Sequence, residues 1–383
     1  MTLDPTRTSL SGHAGSVRLT RTSNHELVFQ TGVAWRSPGF EINDLGFMRA
    51  ADGINQFTWV AYQKRNPFGV FNSLNVNGNQ WLEWDYGGNF LGSQWNVNSN
   101  AQFRNRYGAG FGVTRTEERI SNTELRGGPS SRWSGDWSGN FWVETDGSRK
   151  LSAGLGGFVR RGDDGSEDTW ERWVSLTWRP SDAVRLSLNP SQSRSEREMQ
   201  YVATTGFGAA GSGAAGSGAA DRFVFGRLEQ ETTVITVRLD YSITPDLTVQ
   251  LYASPFVSTG RFDVFKRITD PRAGAFRDRF DVYGSEEIAY DATADRFDVD
   301  ENGDGVVDYG FSNPDFDFRE LNTNLVIRWE YRPGSTIFLV WSQVRDDASL
   351  LDGDLDYRGN LDQLFSAPAH DVVLVKVSKW FSL

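Results

Sequence analysis

The sequence contains no cysteine, only three histidines and no apolar run as long as a transmembrane helix. The absence of cysteine excludes disulfide scaffolds and thiolate zinc sites, and it is compatible with an oxidising compartment. A transmembrane helix needs about 20 consecutive apolar residues, so a helical membrane protein is excluded. The net charge of −11, from 39 basic and 50 acidic residues, argues against nucleic acid as a partner.

The three histidines also give no indication of a metal site or a catalytic site. His13, His25 and His370 are not spaced from one another as metal ligands are, and no serine nucleophile motif accompanies them. The sequence therefore indicates no catalytic set, and the prediction leans away from an enzyme.

What the sequence does have is an alternation of apolar and polar residues with a period of two. In segment 232–244, Ile235, Val237, Leu239, Tyr241 and Ile243 fall on one face, and the residues between them are polar or charged. Side chains of successive strand residues point to opposite faces, so these segments predict strands with one apolar and one polar face. Only 38% of the residues are hydrophobic but 13% are aromatic, which suits strands that face lipid on one side. The prediction is an all-β fold, an antiparallel transmembrane (outer-membrane) β-barrel.

The pattern predicts about fifteen strands, within a range of 14–16, in a single β-barrel domain covering residues 1–383. The predicted strand segments are 15–22, 26–36, 54–65, 71–85, 91–104, 106–117, 133–145, 150–161, 167–179, 183–202, 222–244, 247–267, 316–332, 335–347 and 371–382. Because an antiparallel barrel closes most simply with an even number, either one strand is missed or the chain is part of a larger barrel. Tight turns at 179–182, 244–246 and 332–335 contain proline. Long loops alternate with them, as at the outer end of a barrel. The predicted long loops are 37–53, 118–132, 203–221, 268–315 and 348–370.

Two of these loops have a distinct composition. Segment 203–221 contains a repeat of glycine, alanine and serine, which predicts a flexible loop. Segment 268–315 is rich in acidic residues and is predicted to be a long extracellular loop. In the last long loop, 357–365 predicts one short helix.

Polar rows occur within the predicted strands. Asn75, Asn77 and Asn79 alternate along one strand, and Asn96, Asn98 and Asn100 alternate along the next. Amides at every second position are expected to face water or each other across neighbouring strands. On another strand, alternate positions from Trp170 to Trp178 place aromatic residues at both ends, which resembles a membrane-interface girdle.

The acidic loop contains the one motif that predicts a metal site. Oxygen-bearing residues follow the spacing of a calcium loop, and Gly305 occupies position 6, where the chain turns sharply. The candidate Ca²⁺ ligands, at positions 1, 3, 5, 7 and 9, are Asp300, Asn302, Asp304, Val306 (through its carbonyl) and Asp308. Phe311 stands where the bidentate acid of position 12 belongs, and no flanking helices are evident. The alternatives are a structural Ca²⁺ site and a solvated acidic loop.

Several segments together resemble a known family. They are Asp4–Gly12, Ser37–Phe47, Arg126–Pro129 and Arg328–Gly334. These segments are similar to the C-terminal barrel region of the DUF5916 family. The resemblance implies an outer-membrane barrel, joined upstream to a domain similar to family 9 carbohydrate-binding modules. It carries over no catalytic residue.

The end of the chain carries a second resemblance. Phe381 and Leu383 resemble the C-terminal signal by which the barrel assembly machinery recognises outer-membrane barrels. The start, Met1 to Pro5, lacks the basic and apolar parts of a signal peptide. An exported chain is therefore expected to be a mature form, an engineered form or a fragment.

These observations predict a protein of the bacterial outer membrane that is surrounded by outer-membrane lipid. The first functional hypothesis is a pore or transport protein for a polar solute. The second is a plugged barrel that acts as a membrane anchor or presents loops that bind carbohydrate. The third, and weakest, is an outer-membrane hydrolase.

Overall fold

The structure is a computed structural model that describes residues 8–22, 26–48, 50–206, 221–349 and 357–381. Most of the predicted flexible loop 203–221 lies outside these residues, as does Leu383. The described chain is all-β: 68% of it is strand and 4% helix, and the sheets are antiparallel.

There are 21 strands, one α-helix and two short 3-10 helices within the described residues. The strands are β1 (Ala14–Arg21), β2 (Leu27–Arg36), β3 (Gly53–Lys64), β4 (Phe71–Trp84), β5 (Phe90–Phe103), β6 (Gly108–Thr116), β7 (Arg119–Ser121), β8 (Ser131–Trp133), β9 (Asp136–Glu144), β10 (Leu151–Gly162), β11 (Glu167–Ser181), β12 (Val184–Gly206), β13 (Asp221–Thr244), β14 (Leu247–Ile268), β15 (Phe280–Val282), β16 (Ile288–Asp291), β17 (Arg296–Val299), β18 (Tyr309–Ser312), β19 (Phe316–Arg332), β20 (Ser335–Ser349) and β21 (Ala369–Ser378). The helices are the 3-10 turns Asp163–Gly165 and Phe276–Arg279, and α1 (Tyr357–Ser366).

Contacts between Cα atoms divide the chain into two compact units. The first unit comprises Met1–Phe141, Arg160–Ser166 and Thr269–Asp281. The second unit comprises Trp142–Val159, Glu167–Ile268 and Val282–Leu383.

In the first unit, β1 to β6 pair in sequence order, each antiparallel to the next. The register places like side chains opposite each other, for example Val17 opposite Val33 on one face and Thr20 opposite Gln30 on the other. Apolar and polar positions therefore stay on the same face from strand to strand, because one residue of slip would exchange the two faces.

In the second unit, the strand order is β11-β12-β13-β14-β19-β20-β21, again antiparallel. β12, β13 and β14 have 23, 24 and 22 residues, more than the other strands. Within the described residues, neither unit's series of strands closes into a barrel.

A small module, which we call the cap (residues 282–315), packs on the far ends of these three long strands. Its strands β16, β17 and β18 form an antiparallel sheet. Aromatic and aliphatic side chains of the cap and of β13 and β14 form one buried cluster: Val224, Phe265, Tyr283, Val299, Tyr309 and Phe311.

The two-residue alternation predicted the main strands correctly. Each of the fifteen predicted segments contains an observed strand, with ends that differ by only a few residues. The strands β7, β8 and β15 to β18 were not predicted, because each has only three or four residues and shows no clear alternation.

The helix predicted at 357–365 is confirmed as α1, which packs against β14, β19 and β20. Leu364 of α1 is fully buried, whereas Phe365 next to it is 56% exposed. Arg345 of β20 holds the end of the helix, because its Nη1 atom donates to the carbonyls of Phe365 (2.7 Å) and Ala367 (2.9 Å). Across the part of the chain that the structure describes, no helix is both long and apolar enough to cross a membrane.

The burial of Leu364 leads to a first prediction. Leu364→Ala should weaken the docking of α1 by about 2–5 kcal/mol, because it removes a buried side chain and leaves a cavity. Phe365→Ala is the matched control, since that side chain is exposed. Hydrogen exchange of the α1 amides should accelerate in Leu364→Ala only. Equal acceleration in both variants would show that Leu364 does not hold the helix.

Candidate functional site

The predicted calcium loop, residues 300–308, connects β17 and β18 at the edge of the cap. Its carboxylates are turned toward the backbone of the loop itself. Asp300 Oδ2 accepts from Gly305 N at 2.8 Å, and Asp304 Oδ1 accepts from Val306 N at 2.9 Å. Asp308 Oδ2 accepts from Glu301 N at 2.8 Å. The candidate ligands thus accept hydrogen bonds from the loop's own backbone and stabilise a tight turn.

The turn requires the glycine that the motif placed at position 6. Gly305 has a φ of +83°, a conformation that a residue with a Cβ rarely adopts. Asn302, the candidate at position 3, accepts from Asp304 N at 2.9 Å. Among the described residues, no group of three or more histidine, aspartate or glutamate side chains is arranged to hold a metal ion. Calcium binding therefore stays a prediction.

Glu301, inside this loop, ties the cap to the long strands. Its carboxylate accepts from Arg222 Nε of β13 at 2.9 Å and from the Tyr309 hydroxyl at 2.6 Å. Arg267 of β14 lies 3.8 Å from the same carboxylate and donates to Glu287 at 3.0 Å. One acidic loop residue thus joins the ends of two strands to the cap.

The surroundings shift the acidities of these groups. Burial alone would raise the pKa of Glu301, but hydrogen bonds from Arg222 and Tyr309 outweigh it, so the pKa is lowered. A backbone hydrogen bond from Gly284 and the Arg267 guanidinium lower the pKa of Glu287. Burial raises the pKa of Tyr283 to about 12, and it raises that of Tyr309 as well. These shifts favour the charged form of the two glutamates, Glu301 and Glu287, and the neutral form of the two tyrosines, Tyr283 and Tyr309.

Sequence reasoning missed this cluster, although it identified the loop beside it. Arg222 and Glu301 are 79 residues apart, and nothing in a single sequence pairs them. The available signal was weak: Arg222 and Arg267 stand at the outermost positions of long predicted strands, where an exposed charge is unremarkable.

The lowered pKa of Glu301 predicts that the stability of the cap depends on pH. A carboxylate with a lowered folded pKa stabilises the fold fully above its ordinary value of 4.5, and that contribution disappears as the pH falls through the folded value. The protection factors of the β16–β18 amides, which correct the exchange rates for the intrinsic effect of pH, should therefore fall on acidification below pH 4.5.

The variant Glu301→Gln should lose about 2 kcal/mol of cap stability at neutral pH and respond less to acid, since its charged hydrogen bonds are gone. Glu286→Gln, at an exposed position of the cap before β16, is the control. Identical pH profiles in the two variants would contradict the role of Glu301.

The polar face of the first unit carries the predicted amide rows, and their pairing is confirmed. Asn77 lies opposite Asn98 and donates to it at 2.7 Å, and Asn79 lies opposite Asn96 and donates to it at 2.9 Å. Trp59 of β3 extends the network by donating to Asn77 at 3.0 Å. Hydrogen bonds between polar side chains of this face thus run across three strands.

The opposite faces of both units are apolar and exposed. In the first unit, Val17 is 67% exposed and Val97 is 54% exposed. In the second unit, Val375 is 64% exposed, and its neighbours in the register, Leu339 and Ile327, are on the same face. Large apolar side chains on these faces are thus left substantially uncovered by the described part of the chain.

Two of the four segments that resemble a known family, the described part of Asp4–Gly12 and Ser37–Phe47, meet in the structure. Ser37 N donates to the His13 carbonyl at 2.9 Å, and Ser37 Oγ accepts from His13 N at 2.8 Å. A Cβ at Gly12 would lie 2.2 Å from the backbone nitrogen of Phe40, so this close approach requires glycine. The motifs therefore fix how the chain enters β1 and leaves β2.

A family model described as a domain of unknown function, DUF5916, matches residues 2–381. The chain belongs to this family. Searches of curated proteins and of solved structures gave no match. The family's description gives no activity, so the function of this DUF5916 chain has to be argued from its own geometry.

Proposed function

We propose that this chain is an outer-membrane β-barrel protein that spans the bilayer with its strands and admits a polar solute along its polar face. The observation that carries the proposal is the exposure of large apolar side chains on one face of its sheets, while the opposite face carries polar side chains that hydrogen bond across the strands. A soluble sheet covers its apolar face with another layer. Lipid is the environment that accepts such a face uncovered.

The dimensions of the apolar face support this assignment. On β13, the apolar positions run from Ile235 to Ile243, about 26 Å at 3.3 Å per residue. The lipid-facing band of an outer-membrane barrel is about 25 Å tall. Trp178, Tyr241 and Trp329 lie on this face near the proline turns and are 40–51% exposed. Aromatic residues take such positions at membrane interfaces.

The connections support one orientation. In the second unit, the two-residue connections 182–183, 245–246 and 333–334 lie at one end of the strands, and the long connection 269–315 lies at the other end. The first unit follows this pattern less strictly, because the short connection 85–89 lies at the strand end that also carries the long connection 37–52. Outer-membrane barrels have short periplasmic turns and longer extracellular loops. This orientation places the cap and the calcium loop outside the cell.

Membrane insertion is tested by a pair of arginine variants on β5. Val97 lies on the apolar face, and Asn100, also exposed, lies on the polar face of the same strand. Val97→Arg should cost roughly 2–4 kcal/mol near the centre of a bilayer, whereas Asn100→Arg should be tolerated. Folding yields into lipid vesicles measure both. Equal yields would count against a lipid-facing β5.

Measurement of ionic conductance tests whether the protein forms a pore. The refolded chain, inserted in a planar bilayer, should give stable open steps carried by ions in a polar lumen. Folded and inserted protein that stays silent would favour the second hypothesis, a plugged barrel that serves as an anchor or binds surface carbohydrate. The docking of α1 against β14, β19 and β20 is the observation that favours this alternative.

The acidic loop and the chain end complete the proposal. Ca²⁺ bound by the loop 300–308 would stabilise the cap, so millimolar Ca²⁺ should slow hydrogen exchange in β17 and β18. Asp300→Ala should abolish the effect, and Asp291→Ala, outside the motif, should keep it. At the end of the chain, Phe381 is 70% exposed and accessible to the barrel assembly machinery.

A further inference from the structure

A groove of about 420 Å³ opens on the apolar face of the second unit, between β11 and β12. It has an apolar wall and a polar end. The side chains that line it on this face are Arg172, Val174, Pro190, Gln192, Thr233 and Ile235.

Pro190 explains why the sheet opens here. Proline has no backbone N–H and cannot donate to a neighbouring strand. The pairing of β11 with β12 runs up to Trp173 opposite Ser191 and resumes at Leu176 opposite Leu188, without pairs between. On its other side, Pro190 is paired opposite Ile235 of β13. The groove is therefore a fixed break in one ladder of the sheet.

Arg172 is held at the polar end of the groove by two uncharged neighbours. Its Nη2 atom donates to Gln192 Oε1 at 2.6 Å, and its guanidinium lies 5.2 Å from the centre of the Trp170 ring. Neither contact neutralises the positive charge, and both orient it. A charged, oriented guanidinium is suited to binding a phosphate through paired hydrogen bonds.

The acidic residues on this face are engaged elsewhere. Glu229 and Glu231 lie 3.5 Å and 3.6 Å from Arg194, one alternate position beyond Gln192 on β12. In the other direction, the groove continues into the apolar row of Leu176 and Leu188. Arg172 therefore marks the edge of the apolar band, at the depth of lipid headgroups in the proposed membrane.

We propose that this groove binds an anionic phospholipid. One acyl chain lies against Val174, Pro190 and Ile235, and the headgroup phosphate accepts hydrogen bonds from Arg172. The inference rests on the proposed function, because the groove faces lipid only when the strands span a membrane.

The test is native mass spectrometry of the full chain in detergent micelles with dimyristoyl phosphatidylglycerol or dimyristoyl phosphatidylcholine. Wild type should retain the anionic lipid preferentially. Arg172→Gln should reduce that retention about tenfold, since it removes a charge-assisted hydrogen bond, and should abolish the preference. Arg194→Gln is the matched control and should change retention by no more than about twofold. Val174→Trp, which fills the groove, should reduce retention of both lipids.

Tryptophan quenching by brominated phosphatidylcholine in vesicles, measured on the same variants, separates this inference from the proposed function. Quenched, inserted protein in which Arg172→Gln and Arg194→Gln retain equal amounts of phosphatidylglycerol overturns the groove proposal alone. Wild-type protein that is not quenched overturns both. Quenching together with a loss specific to Arg172→Gln supports both.

Discussion

Side chains on successive residues of a strand must point to opposite faces, and the rest of this structure depends on that constraint. Polar residues alternate with apolar ones, so the amides of β4 and β5 collect on one face and the valines on the other. The amides satisfy each other there, as in the pair Asn77 and Asn98. The valines on the reverse face remain exposed, and this is the face that the proposed function assigns to lipid.

A second constraint acts at the far ends of β12, β13 and β14, which continue past the apolar band. Unsupported strands of this length would expose backbone groups and apolar side chains to water. The cap covers them with an aromatic cluster, and Glu301 fixes it in place through Arg222 and Tyr309. The loop that resembles a calcium site thus also holds the cap against the long strands.

The strands could be predicted from the sequence because their period is local and repeated. The register of β13 with β14 follows the same pattern, since Leu239 opposite Leu251 keeps the apolar face intact. The helix α1 was also predictable, but its docking through Leu364 was not, because the helix pattern does not identify a partner surface. The cap shows most clearly which part of the structure could not be predicted from the sequence. Its strands have four residues each, and its contacts join Glu301 to residues of strands far away in the chain.

The amide ladder has a consequence for how the chain finds its native alignment. Asn75, Asn77 and Asn79 face Asn100, Asn98 and Asn96, so sliding β4 past β5 by two residues would again place amide opposite amide. The ladder stabilises pairing but discriminates poorly between neighbouring alignments. Discrimination must come from less repetitive contacts between the two strands: the ring pair Trp84 and Phe90, 5.5 Å apart, beside the connecting turn, and the ring pair Phe71 and Phe103, 5.2 Å apart, at the other end. Because the polar face is repetitive, the correct alignment of β4 with β5 depends on a few aromatic side chains.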